Sequence, residues 1–287
     1  DAVAISFVRR AADLERVQQV IERHASTRTP PMLIAKLERP EALDNLESIL
    51  QAADGVMVAR GDLGVEMSPE TVPIAQKRII EQANQMGKVV ITATQMLESM
   101  IVKPRPTRAE ANDVANAIFD GTDAVMLSGE TAVGSYPVEA VRMMSAIIEQ
   151  AEQHILQWGR WKGLVEPEDC NDDTYFMTKA ATELARDKNV AGLASFTETG
   201  RTARLLSKER PVAPIWACTP NEDTYWRLNL YWGVEPIRAP LVENLDGLLK
   251  EVDRALRERY SLQTGQQVVL TIGYPIRRQC PTNMAYL

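Results

Sequence analysis

The chain has 287 residues, 45% of them hydrophobic and 25% charged, which suits a soluble globular protein of one large or two ordinary domains. A net charge of −7 argues against a general nucleic-acid binder, whose affinity rests on Lys and Arg neutralising phosphates. The longest apolar runs are strand-sized, too short to span a bilayer, and DAVAISFVRR at the start lacks the basic leader and apolar core of a signal peptide.

Apolar, β-rich segments recur through the first 130 residues: AVAISF (2–7), PMLIAKLE (31–38), GVMVARG (55–61), KVVITATQ (88–95) and DAVMLSGE (123–130). Their spacing of roughly 25–35 residues is that of one strand, one helix and their loops. The intervening segments predict helices. Leu43, Leu46, Ile49 and Leu50 form one stripe entered through Pro40. Val72, Ala75, Ile79, Ala83 and Met86 form another, stopped by Gly87. Thr107 to Glu110 is a capping box ahead of Val114, Ala117 and Ile118. Val141, Met144, Ile148, Ala151, Ile155 and Trp158 predict one face of a longer helix.

Five βα units with strands apolar on both faces imply a parallel sheet covered by helices. An open doubly wound sheet and a (β/α)8 barrel both fit. The polar residues favour the barrel, because each strand carries its chemistry at its C-terminal end: Ser6, then Lys36 and Glu38, Arg60 to Asp62, Thr92 and Thr94, then Ser128 and Glu130. A barrel gathers such ends around one pocket. Five units do not close a barrel, so the expectation is a partial (β/α)8 TIM-type barrel over 1–158, its three missing strands preceding Asp1.

Residues 159–171 break the pattern and act as a connector. A smaller α/β C-terminal domain then occupies the rest of 159–287, with strands expected at 190–197, 213–219, 234–239 and 267–274. FTETGRTA (196–203) places Thr197, Thr199, Gly200, Arg201 and Thr202 at a helix start, either a phosphate nest or a capped turn. Cys170, Cys218 and Cys280 form no CxxC and read as buried cytoplasmic thiols. His24 and His154 have no second ligand at zinc spacing.

Glu38 and Asp62 end adjacent strands. Two carboxylates completed by water and ligand oxygens suit a hard ion such as Mg2+; the alternative is an ion pair with Arg39 or Arg60. Lys36 shares a strand face with Glu38 and either neutralises it or stabilises a transferring phosphoryl group or enolate. Gly61 and Gly64 allow close backbone approach or serve as turn residues, and the Thr94 hydroxyl can donate to a carboxylate or pass a proton. The set suits a Mg2+-bound oxyacid or enolate, with phosphoryl transfer as one option.

IAKLE, MVARGDLGVE, ITATQMLESMIVKPRPTRAE, DVANAIFDGTDAVMLSGETA and SYPVEAVRMM, in this order and spacing, resemble the pyruvate kinase family. The resemblance is close through about residue 152 and looser beyond it. It implies phosphoryl transfer from phosphoenolpyruvate to ADP, giving pyruvate and ATP, the final step of glycolysis in the cytoplasm. It implies Mg2+ or Mn2+ on Glu38 and Asp62, and Lys36 stabilising the phosphoryl group and enolate. Gly61, Asp62 and Thr94 would hold the substrate carboxylate, and Ser128 and Glu130 would lie on the route that protonates the enolate.

The resemblance further implies K+ as a cofactor, a sugar-phosphate or nucleotide effector at Thr197 to Thr202, and a homotetramer. The later loop GYPIRRQCPTNMAYL keeps Thr282 and Asn283 but replaces an expected glycine-rich run, while Arg277 and Arg278 offer cations to a phosphate. The family's N-terminal half, with three barrel strands, the lid domain, an arginine and the K+ ligands, has no counterpart here, so the chain reads as a fragment lacking the complete active site. Two other readings stand beside this one: a truncated, non-catalytic paralogue that binds effector or co-assembles, and a Mg2+-enolate barrel aldolase.

Overall fold

Right-handed crossovers between consecutive neighbouring strands place their helices on one face of a parallel sheet, and in a barrel the other face lines the interior. The computed structural model describes residues 2–24, 29–160, 164–165, 172–188, 190–276 and 280–287. It divides into two compact units, Asp1–Gly163 and Leu164–Leu287.

In the first unit, β1 (Ala2–Ile5) leads through α1 (Ala11–His24) to β2 (Met32–Leu37). Next, α2 (Pro40–Asp44) and α3 (Leu46–Ala52) lead to β3 (Gly55–Ala59), then α4 (Arg60–Glu66) and α5 (Val72–Gln85) to β4 (Val89–Ala93). After it, α6 (Arg108–Asp120) leads to β5 (Ala124–Met126), followed by α7 (Gly129–Ala132), α8 (Pro137–Gln153) and α9 (Ile155–Trp158). The five strands are parallel in the order β1-β2-β3-β4-β5, as expected for consecutive βα units of a barrel.

Leu33, Ala35 and Leu37 of β2, Val56 and Val58 of β3 and Val90 of β4 pack on Leu46, Ile49, Leu50, Ile79 and Ile80 from the covering helices. A second cluster, Met96, Leu97, Met100, Val114, Ala117, Ala140 and Met144, lies where the segment after β4 meets α6 and α8. The capping box forms: Thr107 Oγ1 accepts the Glu110 N–H at 3.2 Å, and Glu110 Oε2 accepts the Thr107 N–H at 2.7 Å.

The structure corrects several expectations. The strands end earlier than their apolar patterns do, so Arg60, Gly61 and Asp62 form the first turn of α4, and Gly129 and Glu130 belong to α7. The stripe from Leu43 to Leu50 is divided between two helices at Asn45, and the stripe from Val141 to Trp158 is broken at His154. Val141 and Trp158 are both 54% exposed, whereas Ala140, Met144, Ala151 and Ile155 are buried. The inward stripe therefore passes through Ala140, whose small side chain gave little apolar signal. β1 is largely exposed rather than apolar-covered on both faces.

In the second unit, α10 (Asp173–Lys188) precedes β6 (Gly192–Phe196), α11 (Arg201–Lys208), β7 (Ile215–Thr219), α12 (Glu222–Leu228), β8 (Val234–Arg238), α13 (Leu245–Arg259), β9 (Val268–Ile272) and β10 (Met284–Tyr286). The strand order is β10-β9-β6-β7-β8, with β10 antiparallel to β9 and the other pairings parallel. Trp216, Ile237, Leu248, Val252, Leu256 and Leu270 carry its core. Cys218 is buried as expected, but Cys280 is only half-buried. Cys170, Arg277, Arg278 and most of the connector lie outside the described residues. Among the described residues no helix is long and apolar enough to cross a membrane.

Candidate active site

Parallel strands point the same way, so their C-terminal ends share one edge of the sheet. Glu38 directly follows β2, Arg60 directly follows β3 and Thr94 directly follows β4. The topology therefore places residues far apart in the chain beside one another.

Lys36 and Glu38 form an ion pair, with Lys36 Nζ 2.5 Å from Glu38 Oε1. Lys36 also donates to Ser6 Oγ at 2.9 Å, and Glu38 Oε2 accepts the Phe7 N–H at 2.8 Å. Glu38 is only 1% exposed, so this buried carboxylate is neutralised and hydrogen-bonded on both oxygens. Neither Arg39 nor Arg60 is its partner. Arg39 pairs with Glu66 at 2.7 Å.

Arg60 is buried and turns away from both acids. Its Nη1 meets Asp113 Oδ2 at 2.5 Å, while Nε and Nη2 donate to the Thr94 carbonyl at 3.1 and 2.8 Å. Asp62 is exposed, and its carboxylate has no hydrogen bond or ion pair among the described residues. Gly61 donates its N–H to Thr94 Oγ1 at 2.7 Å, and that hydroxyl donates to the Ala93 carbonyl at 2.6 Å. Thr92, read from sequence as a strand-end group, is instead buried and donates to Thr122 Oγ1 at 3.0 Å.

Glu130 is also buried, with Oε1 accepting the Leu97 N–H at 3.1 Å and Oε2 the Ser128 N–H at 2.8 Å. It ties the segment after β4 to the turn after β5. Ser128 Oγ is buried without a hydrogen-bond partner among the described residues.

For a divalent ion the donor chemistry fits. Glu38, directly after β2, and Asp62, in the first turn of α4 after β3, offer hard carboxylate oxygens, and the Asp62 carboxylate has no protein partner among the described residues. A two-carboxylate set leaves positions for water and ligand oxygens, as Mg2+ prefers. Among the described residues no group of three or more His, Cys, Asp or Glu comes together.

In the second unit, Thr197, Thr199, Arg201 and Thr202 line one cavity of about 440 Å³, together with Thr174, Glu198, Asn221 and Thr282. Gly200, at φ 85°, lets the chain turn from β6 into α11, and its N–H donates to Thr197 Oγ1 at 2.9 Å. Thr202 and Thr282 hydroxyls meet at 2.7 Å, and the Thr282 N–H donates to Thr174 Oγ1 at 3.0 Å. Arg201 pairs with Asp172 at 2.6 Å. That hydrogen bond outweighs the opposing effect of burial and holds the Asp172 carboxyl below its ordinary value. Sequence reasoning missed Asp172, Thr174 and Asp113, whose partners lie at distant chain positions and share no local pattern with them.

A barrel-type unit with its polar groups at the C-terminal strand ends, followed by a second α/β unit, defines a two-domain α/β protein of the kind that places its chemistry above a barrel. Two family models extend that description: "Pyruvate kinase, barrel domain" matches residues 1–141 and "Pyruvate kinase, alpha/beta domain" matches residues 176–287. The chain belongs to the pyruvate kinase family. It is 48% identical to "Pyruvate kinase" of Geobacillus stearothermophilus over 99% of the chain and 48% of that protein. It is 42% identical to "Pyruvate kinase" of Clostridium acetobutylicum over 99% of the chain and 59% of that protein. It is 44% identical to "Pyruvate kinase 2" of Synechocystis over 95% of the chain and 45% of that protein. The chain thus spans about half the length of these relatives.

Proposed function

We propose that the chain carries the metal and oxyacid part of a pyruvate kinase site, serving phosphoryl transfer between phosphoenolpyruvate and ADP. The observation that carries this reading is the grouping on one sheet edge of the Lys36–Glu38 pair, the unpartnered Asp62 carboxylate and the Gly61–Thr94 contact. Family membership supports the same reading.

Glu38 and Asp62 would hold Mg2+ or Mn2+. Bound there, the ion would supply Lewis-acid stabilisation of developing negative charge. Lys36, held by Glu38 and Ser6, presents its ammonium to a phosphoryl or enolate oxygen, where a fixed cation favours the charged transition state. The substrate carboxylate takes the Gly61 N–H and the Thr94 O–H, which otherwise donate to Thr94 Oγ1 and to the Ala93 carbonyl respectively. Ser128 offers for proton transfer a hydroxyl with no partner among the described residues, with Glu130 holding its backbone. The second unit acts in regulation and assembly, its cavity taking a sugar-phosphate or nucleotide through Thr197, Thr199, Arg201 and Thr202.

The test is titration of the chain with Mg2+ and phosphoenolpyruvate, alongside a coupled assay with ADP that reads pyruvate. Binding that requires Mg2+ and is lost in Lys36→Met is the expected result. No Mg2+-dependent binding of phosphoenolpyruvate by the native chain would overturn the site reading, whatever the turnover.

A further inference from the structure

Thr94 and Gln95 have φ of 68° and 53°, in the left-handed region. A β-branched residue is a genuine outlier there, and the conformation persists only where its surroundings impose it. Arg60 imposes it. Nε and Nη2 grip the Thr94 carbonyl, and Nη2 also donates to the Gln95 carbonyl at 2.8 Å. The guanidinium is in turn braced by Asp113 of α6. Only a planar fork of donors serves two successive carbonyls and a carboxylate at once.

The main chain of Arg60 runs directly into Gly61, whose N–H meets Thr94 Oγ1 at 2.7 Å. Both sides of that contact therefore depend on one residue: its backbone carries the Gly61 amide and its side chain holds the Thr94 loop. A Cβ built on Gly61 would lie 3.3 Å from Thr94 Oγ1, so the approach is already tight.

We propose that Arg60, braced by Asp113, is a positioning residue that sets the Thr94 hydroxyl against the Gly61 amide. Its meaning for ligand binding rests on the oxyacid-site reading above; its hold on the loop does not. Lysine would keep the charge and the reach to Asp113 but lose the fork, so the Arg60→Lys variant behaves as a loss of position rather than a rescue.

The experiment uses the full chain, with the Gly61 amide as reporter in 15N–1H spectra. Arg60→Lys, Arg60→Met and Asp113→Asn are compared with the native chain. A short hydrogen bond places the native Gly61 proton downfield and slows its exchange. Both Arg60 variants should move it upfield and speed its exchange by about tenfold or more, with a smaller change in the same direction for Asp113→Asn. Amides of Val56, Val58 and the second unit should keep their native shifts, which separates lost positioning from general destabilisation.

Oxalate, chosen for its paired carboxylate oxygens, is then titrated with Mg2+. Its affinity should fall about tenfold or more in the Arg60 variants while that of Mg2+ alone is unchanged. A native Gly61 signal in Arg60→Lys and Arg60→Met would overturn the proposal. If Arg60→Met fails to fold, Arg60→Lys and Asp113→Asn decide it on the same signal. A native chain that ignores oxalate would overturn the oxyacid reading, while loss of the Gly61 signal in the variants would still support the positioning role.

Discussion

Lys36 Nζ stands 2.5 Å from Glu38 Oε1, joining the only two charged side chains of the segment from Met32 to Glu38. Lys36 keeps a quarter of its side chain exposed while Glu38 is almost wholly buried. Removing the lysine therefore leaves a buried carboxylate with the Phe7 N–H as its remaining partner. Lys36→Met should lower stability by about 1–3 kcal/mol, less than for a fully buried pair because of Lys36's exposure. Adding Glu38→Gln should recover part of the loss. Denaturant midpoints of the two single variants and the double variant check this, and strictly additive losses would refute the coupling.

Asp62→Asn separates folding from metal binding. The side chain is exposed and unpartnered among the described residues, so stability without metal should stay within about 0.5 kcal/mol of native. The native chain should gain about 2.7 kcal/mol when Mg2+ reaches a hundred times its dissociation constant. Thermal unfolding with and without Mg2+ should show that gain in the native chain and its loss in the variant.

The capping box predicts an acid-sensitive contribution from α6. Burial pushes the Glu110 carboxyl up, but hydrogen bonds from Ser99 and Thr107 outweigh it and hold the group below its ordinary 4.5. A depressed carboxylate contributes stability in full above its unfolded value and loses it as pH falls through the lower folded value. Thr107→Ala should cost about 1 kcal/mol near neutral pH. It should also flatten the stability slope below about pH 4.5, measured by urea unfolding across that range.

Asp172 engages the cation that an anionic ligand of the second-unit cavity would need. Asp172→Asn retains an amide oxygen for capping α10 but withdraws the charge from Arg201. Pyrophosphate should then bind several-fold more tightly, by about 1 kcal/mol, as one charge-assisted contact becomes available. Calorimetric titration of both forms reads this, and an unchanged affinity would remove Arg201 from the phosphate-binding set.

Burial pushes the Cys218 thiol up to about 12, so no appreciable thiolate forms near pH 8. Peptide mapping after brief alkylation of the native chain should find Cys280 modified and Cys218 intact. Cys218 should become reactive only once the chain is unfolded.

Much was legible without the tertiary structure. Alternation of apolar β segments with helical stripes identified β1 to β9, and Glu38, Arg60 and Thr94, read as closing three of those segments, do follow β2, β3 and β4 on one sheet edge. These signals are local: a strand's composition, a helix's 3.6-residue period and a capping box are written within a dozen neighbouring residues. The exact strand ends were less legible, because MVARGDLG is apolar up to Arg60 and nothing local shows that helix begins there. β10 was missed because three residues, Met284–Tyr286, are too few to display a period.

The chain's order of residues by itself determined the parallel α/β architecture, the family and the chemical types available at the strand ends. Only the tertiary structure decided which of those groups meet. Thr92 and Thr94 share a strand pattern, yet one is buried against Thr122 and the other leaves the strand in a left-handed turn toward Gly61. Arg60 chooses Asp113 and the Thr94 carbonyl over Glu38 and Asp62, which leaves one acid for Lys36 and the other without a partner among the described residues. Such choices depend on distances between residues 34 and 53 positions apart, set by how βα units pack, and local propensity has no term for them.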